Sequence, residues 1–168
     1  MIKIKTVKNW NELVELLKFK VANAMENTGK NVVERVAREH VDSDVYQAYT
    51  PKVYEATFEL RDSIYTKSAD IKNNNIEVVI KHNTDNIVSN SPNQHYSVVE
   101  SYSPKDVSDW IPYIVHEGKT ANIWGDGGEY LDPRPYMDNA VEELKQTKEH
   151  IDDLVNELKK QGLNAKKG

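Results

Sequence analysis

The N-terminal third of the chain has an apolar period of three to four residues, which is typical of an amphipathic helix. Apolar residues recur at this spacing across residues 9–41, and Asn9 or Asn11 can cap the start of the helix. Gly29 interrupts the pattern near its centre. The pattern therefore predicts one long helix with a weak point near the glycine, or two successive helices.

The middle of the chain alternates apolar and polar residues, which is typical of β-strands. A short helix is expected over residues 52–62. Two strands follow over residues 63–72 and 75–82, around an asparagine-rich turn, and a third strand is expected over residues 95–102. These segments predict a small, mainly antiparallel sheet of about three to four strands.

A second short apolar helix is predicted from Trp110 to the glycine at position 118. Ser108 or Asp109 can cap its start. Pro112 then falls in the first turn, where a missing N–H is tolerated. Gly118 stands where a C-terminal cap is expected.

The C-terminal part of the chain predicts a long helix over residues 135–161, which begins after a Pro-Arg-Pro run. Apolar residues recur every seven positions, but the pattern is polar at Thr147 and Lys148. We expect the distal half to pack on another subunit or on another long helix, most plausibly the N-terminal one. The residues expected to make this contact are Ile151, Leu154 and Leu158.

Together the elements predict an α+β fold with a long N-terminal helix, a small sheet and a long C-terminal helix. The length of 168 residues favours a single domain over residues 1–168. Its three parts are an N-terminal helix (9–41), a short helix with the sheet (52–103), and a short helix, loop and C-terminal helix (108–161).

Composition narrows the classes of function. The chain is 38% hydrophobic and 29% charged, and its formal net charge is −5, so no overall attraction to nucleic acid or to an anionic membrane is implied. The absence of cysteine excludes disulfides and thiolate metal sites. No apolar run approaches transmembrane length, and no signal-peptide core is evident, so we expect synthesis in the cytoplasm.

Candidate chemistry is sparse. His116 and Glu117 suggest a metal or acid–base site, but the zincin pattern needs a second histidine where Thr120 stands. No Ser-His-Asp order, Walker loop or dinucleotide fingerprint appears. We therefore expect no catalysis, metal or cofactor. A small metal-dependent hydrolase that uses His116 and Glu117 remains an alternative.

The loop over residues 119–131 is rich in glycine and carries a tryptophan, Trp124. It also carries Asp126 and Glu129, but the ligand spacing of an EF-hand is absent. Trp124 either folds back on its own domain or inserts into a partner subunit, because tryptophan anchors interfaces well. The residues predicted for interaction in this loop and in the tyrosine-rich segment before residue 55 are Trp124, Asp126, Glu129, Tyr130, Tyr46 and Tyr49.

Two groups of short motifs resemble the head–tail joining proteins of long-tailed bacteriophages, also called neck or tail-completion proteins. The first group precedes and follows a short helix, and the second brackets the glycine-rich loop. Members often have Thr-Gly where this chain has Thr57-Phe58, and the loop here is longer. The matching residues are Tyr49, Pro51, Tyr54, Leu60, Ser63 and Ile64, then Tyr113, Glu117 and Gly118, then Pro133, Arg134, Pro135, Tyr136 and Met137.

The resemblance implies a non-enzymatic virion protein that forms a ring between the portal complex and the tail. Its expected partners are further copies of itself and other neck, portal-adaptor and tail proteins. Neither a membrane nor a specific nucleic-acid sequence is an expected partner, although DNA passing through the ring lumen is left open. A regulatory adaptor that binds a host protein through the C-terminal helix is a further alternative.

Overall fold

The computed structural model describes residues 7–48, 58–72, 75–87, 104–118 and 132–168, with side chains of the helix that starts at residue 104 described from Asp109 onward. Its longest element is a continuous helical stretch, made of α1 (Trp10–Ala24), a π-helical turn (Met25–Gly29), α2 (Lys30–His40) and a second π-helical turn (Val41–Tyr46). The prediction of one long helix with a weak point is confirmed, and the helix continues past residue 41 to Tyr46.

Local chemistry explains the start and the weak point of this helix. Asn9 caps it, since its side-chain oxygen accepts from the Glu12 backbone N–H at 3.0 Å. Gly29 ends the first π-helical turn and is buried. A Cβ at this position would lie 2.2 Å from Met25 Sδ, so a larger residue would displace the Met25 side chain.

The predicted hairpin is present, but it consists of two short antiparallel ladders. Strand β1 (Ile64–Thr66) pairs with β4 (Ile80–His82), and β2 (Asp70–Lys72) pairs with β3 (Asn75–Glu77). Between the ladders, the Lys67 N–H donates to the Val79 carbonyl at 2.9 Å. The strand expected over residues 95–102 lies outside the described residues.

The two short helices are positioned differently from the predictions. Of the helix expected over residues 52–62, the structure describes α3 (Glu59–Asp62) and Phe58 before it, whose left-handed φ of +59° shows that a helix running through residue 58 is wrong. The second helix, α4 (Pro104–Glu117), starts earlier than expected, so the predictions that Ser108 or Asp109 caps it and that Pro112 lies in its first turn are wrong. Pro112 instead removes one backbone hydrogen bond inside the helix. Gly118 ends it with a φ of +68°, as predicted.

The predicted single C-terminal helix is two helices, α5 (Tyr136–Thr147) and α6 (Glu149–Lys160). They meet at Lys148, whose φ of +55° is in the left-handed region. The Lys148 N–H bonds to the Leu144 carbonyl at 3.0 Å, and its own carbonyl accepts from the Ile151 N–H at 2.9 Å. The break coincides with the polar interruption of the heptad pattern.

We expect Lys148→Gly to stabilise the protein by about 0.5–1 kcal/mol, because glycine adopts a positive φ without steric strain. Lys148 is exposed, so little packing is lost. Lys145→Gly is the matched control, since it places glycine inside α5 and should destabilise by about 1 kcal/mol. Urea unfolding of the three proteins measures both values. Destabilisation by both substitutions to a similar extent would contradict the left-handed geometry at Lys148.

The C-terminal helices run antiparallel along the N-terminal helix. α5 packs on α2, and α6 packs on α1 and the first π-helical turn, so the predicted packing of the distal half on the N-terminal helix is confirmed. Four polar contacts mark this course, from Asp44–Asn139 (2.9 Å) through His40–Glu143 (3.0 Å) and Arg35–Glu149 (2.6 Å) to Lys20 Nζ–Gln161 O (2.6 Å).

The core lies between α2, α5 and the β1–β4 ladder. Its buried members come from α2, the second π-helical turn, α3, β1, α5 and Ile87, so helices and the sheet share one core, which confirms the α+β class. No helix among the described residues is long and apolar enough to span a bilayer. The buried core residues are Val32, Val36, Ala37, Val41, Val45, Leu60, Ile64, Ile87, Tyr136, Ala140 and Leu144.

Candidate functional site

Four of the motif residues lie close to His82, and we call this group the motif junction: the buried Ser63, Ile64 and Tyr136 and the half-buried His82 and Arg134. Ser63 and Ile64 stand at the start of β1, His82 ends β4, and Tyr136 begins α5. Ser63 and Tyr136 are each 1% exposed and Ile64 is 0% exposed. Segments far apart in the sequence are therefore fixed to one another at the centre of the fold.

A chain of hydrogen bonds runs through the junction. Ser63 Oγ donates to the Leu60 carbonyl at 2.7 Å and also lies 2.7 Å from His82 Nδ1. Because the hydroxyl has a single proton, His82 Nδ1–H must donate to Ser63 Oγ. His82 Nε2 is then the acceptor, and Tyr136 Oη donates to it at 3.0 Å. The Pro112 carbonyl lies 3.3 Å from the same phenol oxygen.

Burial keeps these groups neutral. It lowers the pKa of His82 to about 4, against the slight opposing effect of the hydrogen bond to the Leu60 backbone. It also raises the pKa of Tyr136 above its ordinary value. The Tyr136 ring makes edge contacts with two imidazoles, His82 at 5.8 Å and His116 at 5.4 Å between ring centroids. The junction thus contains a satisfied polar network within an apolar core.

Arg134, from the Pro-Arg-Pro run, connects three elements. Its backbone N–H donates to the Val115 carbonyl of α4 at 3.1 Å, and its Nη1 donates to the Val45 carbonyl at 3.2 Å. α5 starts two residues later, after Pro135. The run therefore attaches the start of α5 to the end of α4 and to the end of the N-terminal helix.

The pairing of Ser63 with His82 is not that of an activated nucleophile. The serine proton is directed to the Leu60 carbonyl, and the side chain is inaccessible to a substrate. The second ring nitrogen of His82 meets the phenol of Tyr136, where a serine hydrolase places a carboxylate. The arrangement holds β1, β4 and α5 together.

His116 and Glu117, the residues of the hydrolase alternative, lie at the end of α4. His116 Nε2 is 3.8 Å from Glu117 Oε1 and 3.4 Å from Asp138 Oδ2, while its Nδ1 is buried without a partner. Within the described ranges, no three histidine or carboxylate side chains are grouped as a metal site requires. The absence of a metal from the fold stays a prediction.

The predicted interaction residues differ in their placement. Tyr46 is half-buried, with its ring 4.8 Å from that of Phe58, and burial raises its pKa. On α6, Ile151 and Leu154 are half-buried and Leu158 is buried, at 8% exposed. Their roles in assembly stay predictions. The residues that lie outside the described part of the chain are Tyr49, Trp124, Asp126, Glu129 and Tyr130.

Two exposed apolar surfaces were not singled out from the sequence. The first is on α1, where Trp10 (73% exposed) and Leu17 (37%) share one face of the helix, while Phe19 (62%) is exposed on the opposite face. The second, the α4 pair, consists of Trp110 (56%) and Tyr113 (48%), whose rings meet edge to face at 6.0 Å. Trp10 and Leu17 belong to the helical stripe that periodicity assigns to the core, so the pattern alone could not reveal their exposure.

These features define a small α+β protein in which short motifs attach α5 to the hairpin, to α4 and to the N-terminal helix. Its sequence matches the family model described as YomN over residues 9–160, and the chain belongs to the YomN family. It is 25% identical, over 141 residues that cover 84% of each chain, to the SPbeta prophage-derived uncharacterized protein YomN of Bacillus subtilis (strain 168). No solved structure matches the chain significantly. The family is thus phage-related.

Proposed function

We propose that this protein is a structural component of the phage neck, where it joins the DNA-filled head to the tail as part of an oligomeric ring. The observation that carries the proposal is the motif junction. The residues on which the resemblance to head–tail joining proteins rests are distant in sequence, yet Ser63 and Tyr136 meet through His82, and Arg134 attaches the start of α5 to α4 and to the N-terminal helix. Short matches that arose by chance would not be expected to meet in this way.

Two further observations support the proposal. The relative from Bacillus subtilis is prophage-derived, as a virion component of a temperate phage would be. Exposed aromatic residues on α1 and α4 offer contact surface for other proteins. The protein acts without catalysis or a cofactor, it is made in the host cytoplasm, and its final location is the neck or tail of the virion.

The test is the loss of the gene from an inducible phage that encodes this protein. We expect electron micrographs to show DNA-filled heads and complete tails that remain separate, and infectivity to fall by orders of magnitude. Expression of the protein from a plasmid should restore joined particles. If joined, infectious particles form at normal yield without the protein, the proposed function is wrong.

A second expectation concerns the loop at residues 119–131. Trp124→Ala should leave the circular dichroism and the melting temperature of the isolated protein nearly unchanged, because we expect the indole to bind a neighbouring subunit or neck component. In the phage it should give unjoined heads and tails. Tyr65→Ala, an exposed aromatic on β1, is the control that should leave joining intact. Strong destabilisation of the isolated Trp124 variant would instead place the indole in its own core.

A further inference from the structure

The N-terminal helix carries four charged residues of alternating sign at a spacing of four, which we call the charged row: Glu26, Lys30, Glu34 and Arg38. Such a pattern is typical of a solvent-exposed helix face that is stabilised by ion pairs between neighbouring turns. The ion pairs are present, because Lys30 pairs with Glu26 and Arg38 Nη2 lies 2.8 Å from Glu34 Oε1. They occupy only one oxygen of each carboxylate.

The second oxygen of each carboxylate in the charged row binds the hairpin. Glu34 Oε2 accepts from the Thr66 backbone N–H at 3.0 Å and from the Thr66 hydroxyl at 3.1 Å. Glu26 Oε2 accepts from the Ala69 N–H at 2.9 Å. The row is therefore not only a solvated face, since it supplies acceptors to two backbone N–H groups of the hairpin.

The backbone groups that the charged row contacts lie on the edge of β1 that faces away from β4. In an antiparallel ladder, every second residue of a strand directs its backbone groups to the partner strand. The Ser63 carbonyl and the Lys67 N–H bond to residues that adjoin the two ends of β4. The Ile64 carbonyl and the Thr66 N–H therefore face the other way, and Arg38 Nη2 donates to this carbonyl at 2.8 Å.

The spacing of the charged row matches that of the strand edge. Four residues of an α-helix rise by about 6 Å and two residues of a strand by about 6.6 Å, so every fourth helical side chain can meet every second strand residue. Arg38 and Glu34 accordingly reach Ile64 and Thr66. A neighbouring strand would bind the same carbonyl and the same N–H. The row thus takes the place of a neighbouring strand.

Without the charged row, the edge of β1 would be a favourable place for strand addition. Tyr65 on β1 and Ile71 on β2 are 38% and 40% exposed, so an added strand would also cover apolar surface. Two identical antiparallel edges are complementary to each other, which is why exposed edges pair with other copies of the same chain. Charged side chains and a covering helix are two ways in which proteins prevent such pairing. The charged row combines both.

The charged row is a surface feature that can be altered without opening the core. Its four side chains are 26–39% exposed, and none belongs to the buried cluster. Hydrogen bonds from Lys30 and from the Ala69 N–H lower the pKa of Glu26, against the opposing effect of burial. The Glu26 carboxylate therefore remains a charged acceptor at neutral pH.

We propose that the charged row closes the hairpin edge to strand addition, and that it thereby keeps β1 from pairing with the β1 edge of a second copy. The contact is autoinhibitory, since the helix occupies the backbone groups through which the hairpin would otherwise pair. The inference rests on the contacts of Glu26, Glu34 and Arg38 and is independent of the neck function.

The double variant Glu26→Ala/Glu34→Ala tests the proposal, because it removes both carboxylates from the edge and alanine favours the helix. At low protein concentration we expect amide exchange at Thr66 and Ala69 to accelerate by about tenfold, as the loss of a hydrogen bond to a charged group predicts. At high concentration, sedimentation velocity should show a species larger than any that the parent forms. Glu39→Ala, which removes an exposed ion pair with Arg35 on the same helix, is the matched control and should resemble the parent.

Addition of Thr66→Pro to the double variant distinguishes edge pairing from general aggregation. Proline removes the N–H that faces away from β4, so it blocks strand addition while the ladder with β4 keeps its hydrogen bonds. We expect the triple variant to return to the association state of the parent. The proposal is overturned if exchange or association of the double variant equals that of the parent, or if the triple variant still forms the larger species.

Discussion

Acidification from pH 6.5 to about pH 4 is expected to lower the free energy of unfolding by about 3 kcal/mol through His82 alone. Burial lowers the folded-state pKa of His82 from 6.5 to about 4, so the unfolded chain binds more protons throughout this window. The stabilisation is fully present above pH 6.5 and is lost progressively as the pH falls to the folded-state pKa. Urea unfolding at a series of pH values measures it.

His82→Asn is the matched variant, because an asparagine amide cannot titrate in this range. Its N–H can donate to Ser63 Oγ in place of His82 Nδ1, and Tyr136 Oη can donate to the Pro112 carbonyl, 3.3 Å away. The variant is less stable at neutral pH because it leaves a cavity. The parent loses the stability that depends on His82 as the pH falls, and the variant does not. The same linkage calculation therefore predicts that the difference in free energy of unfolding between the two proteins shrinks by about 3 kcal/mol between pH 6.5 and 4.

Other titrating groups do not obscure this comparison. Burial also lowers the pKa of His150, which adds acid sensitivity of the same sign, but it does so in both proteins. A hydrogen bond from Arg61 lowers the pKa of Asp62, so stability from this carboxylate is lost only as the pH falls below its ordinary range. Parallel stability curves for parent and variant would show that His82 is not buried in neutral form.

Tyr136→Ala is expected to destabilise the protein by about 3–5 kcal/mol, the range for large-to-small substitutions of buried aromatic residues. Tyr136 is 1% exposed and is the largest fully buried side chain in the described part of the chain. Its ring packs against His82 and His116, and it fixes the start of α5 on the hairpin. Denaturant unfolding with a constant m-value is the measurement.

Tyr136→Phe separates the hydroxyl from the ring. It leaves His82 Nε2 without its donor, which should destabilise by about 1–3 kcal/mol. Tyr65→Ala, on the exposed face of β1, is the control and should change stability by less than about 1 kcal/mol. If Tyr136→Ala and Tyr65→Ala have equal effects, the motif junction is not the centre of the fold.

The junction changes how the short motifs are understood. Two residues that carry the resemblance, Ser63 and Tyr136, are buried and joined through His82 instead of facing solvent. Phe58, where members of the resembled family often have glycine, has a φ of +59°, a conformation that favours glycine. Its ring contacts Tyr46 at 4.8 Å and the Arg61 guanidinium at 4.7 Å, which offsets part of the backbone strain. The motif residues therefore stabilise the fold. We expect the contacts of assembly to be made by surface residues around them.

The sequence by itself determined the elements that depend on local interactions. Apolar periodicity and the cap at Asn9 specify the N-terminal helix, because both act within a few residues of the chain. Alternation around the asparagine-rich turn specifies the hairpin, and Gly118 specifies the end of α4 because it readily adopts a positive φ. These features are visible without knowledge of any distant contact.

Tertiary structure decided what depends on contacts between distant segments. No glycine or proline marks the break at Lys148, and its left-handed backbone is maintained because α5 packs on α2 while α6 packs on α1. His82 is kept neutral by burial, which lowers its pKa and depends on the packing of α5 against the hairpin, where Ser63 and Tyr136 lie at its two ring nitrogens. The exposure of Trp10, the first residue of α1, is likewise a tertiary result, since periodicity places it on the same stripe as the fully buried Ala24.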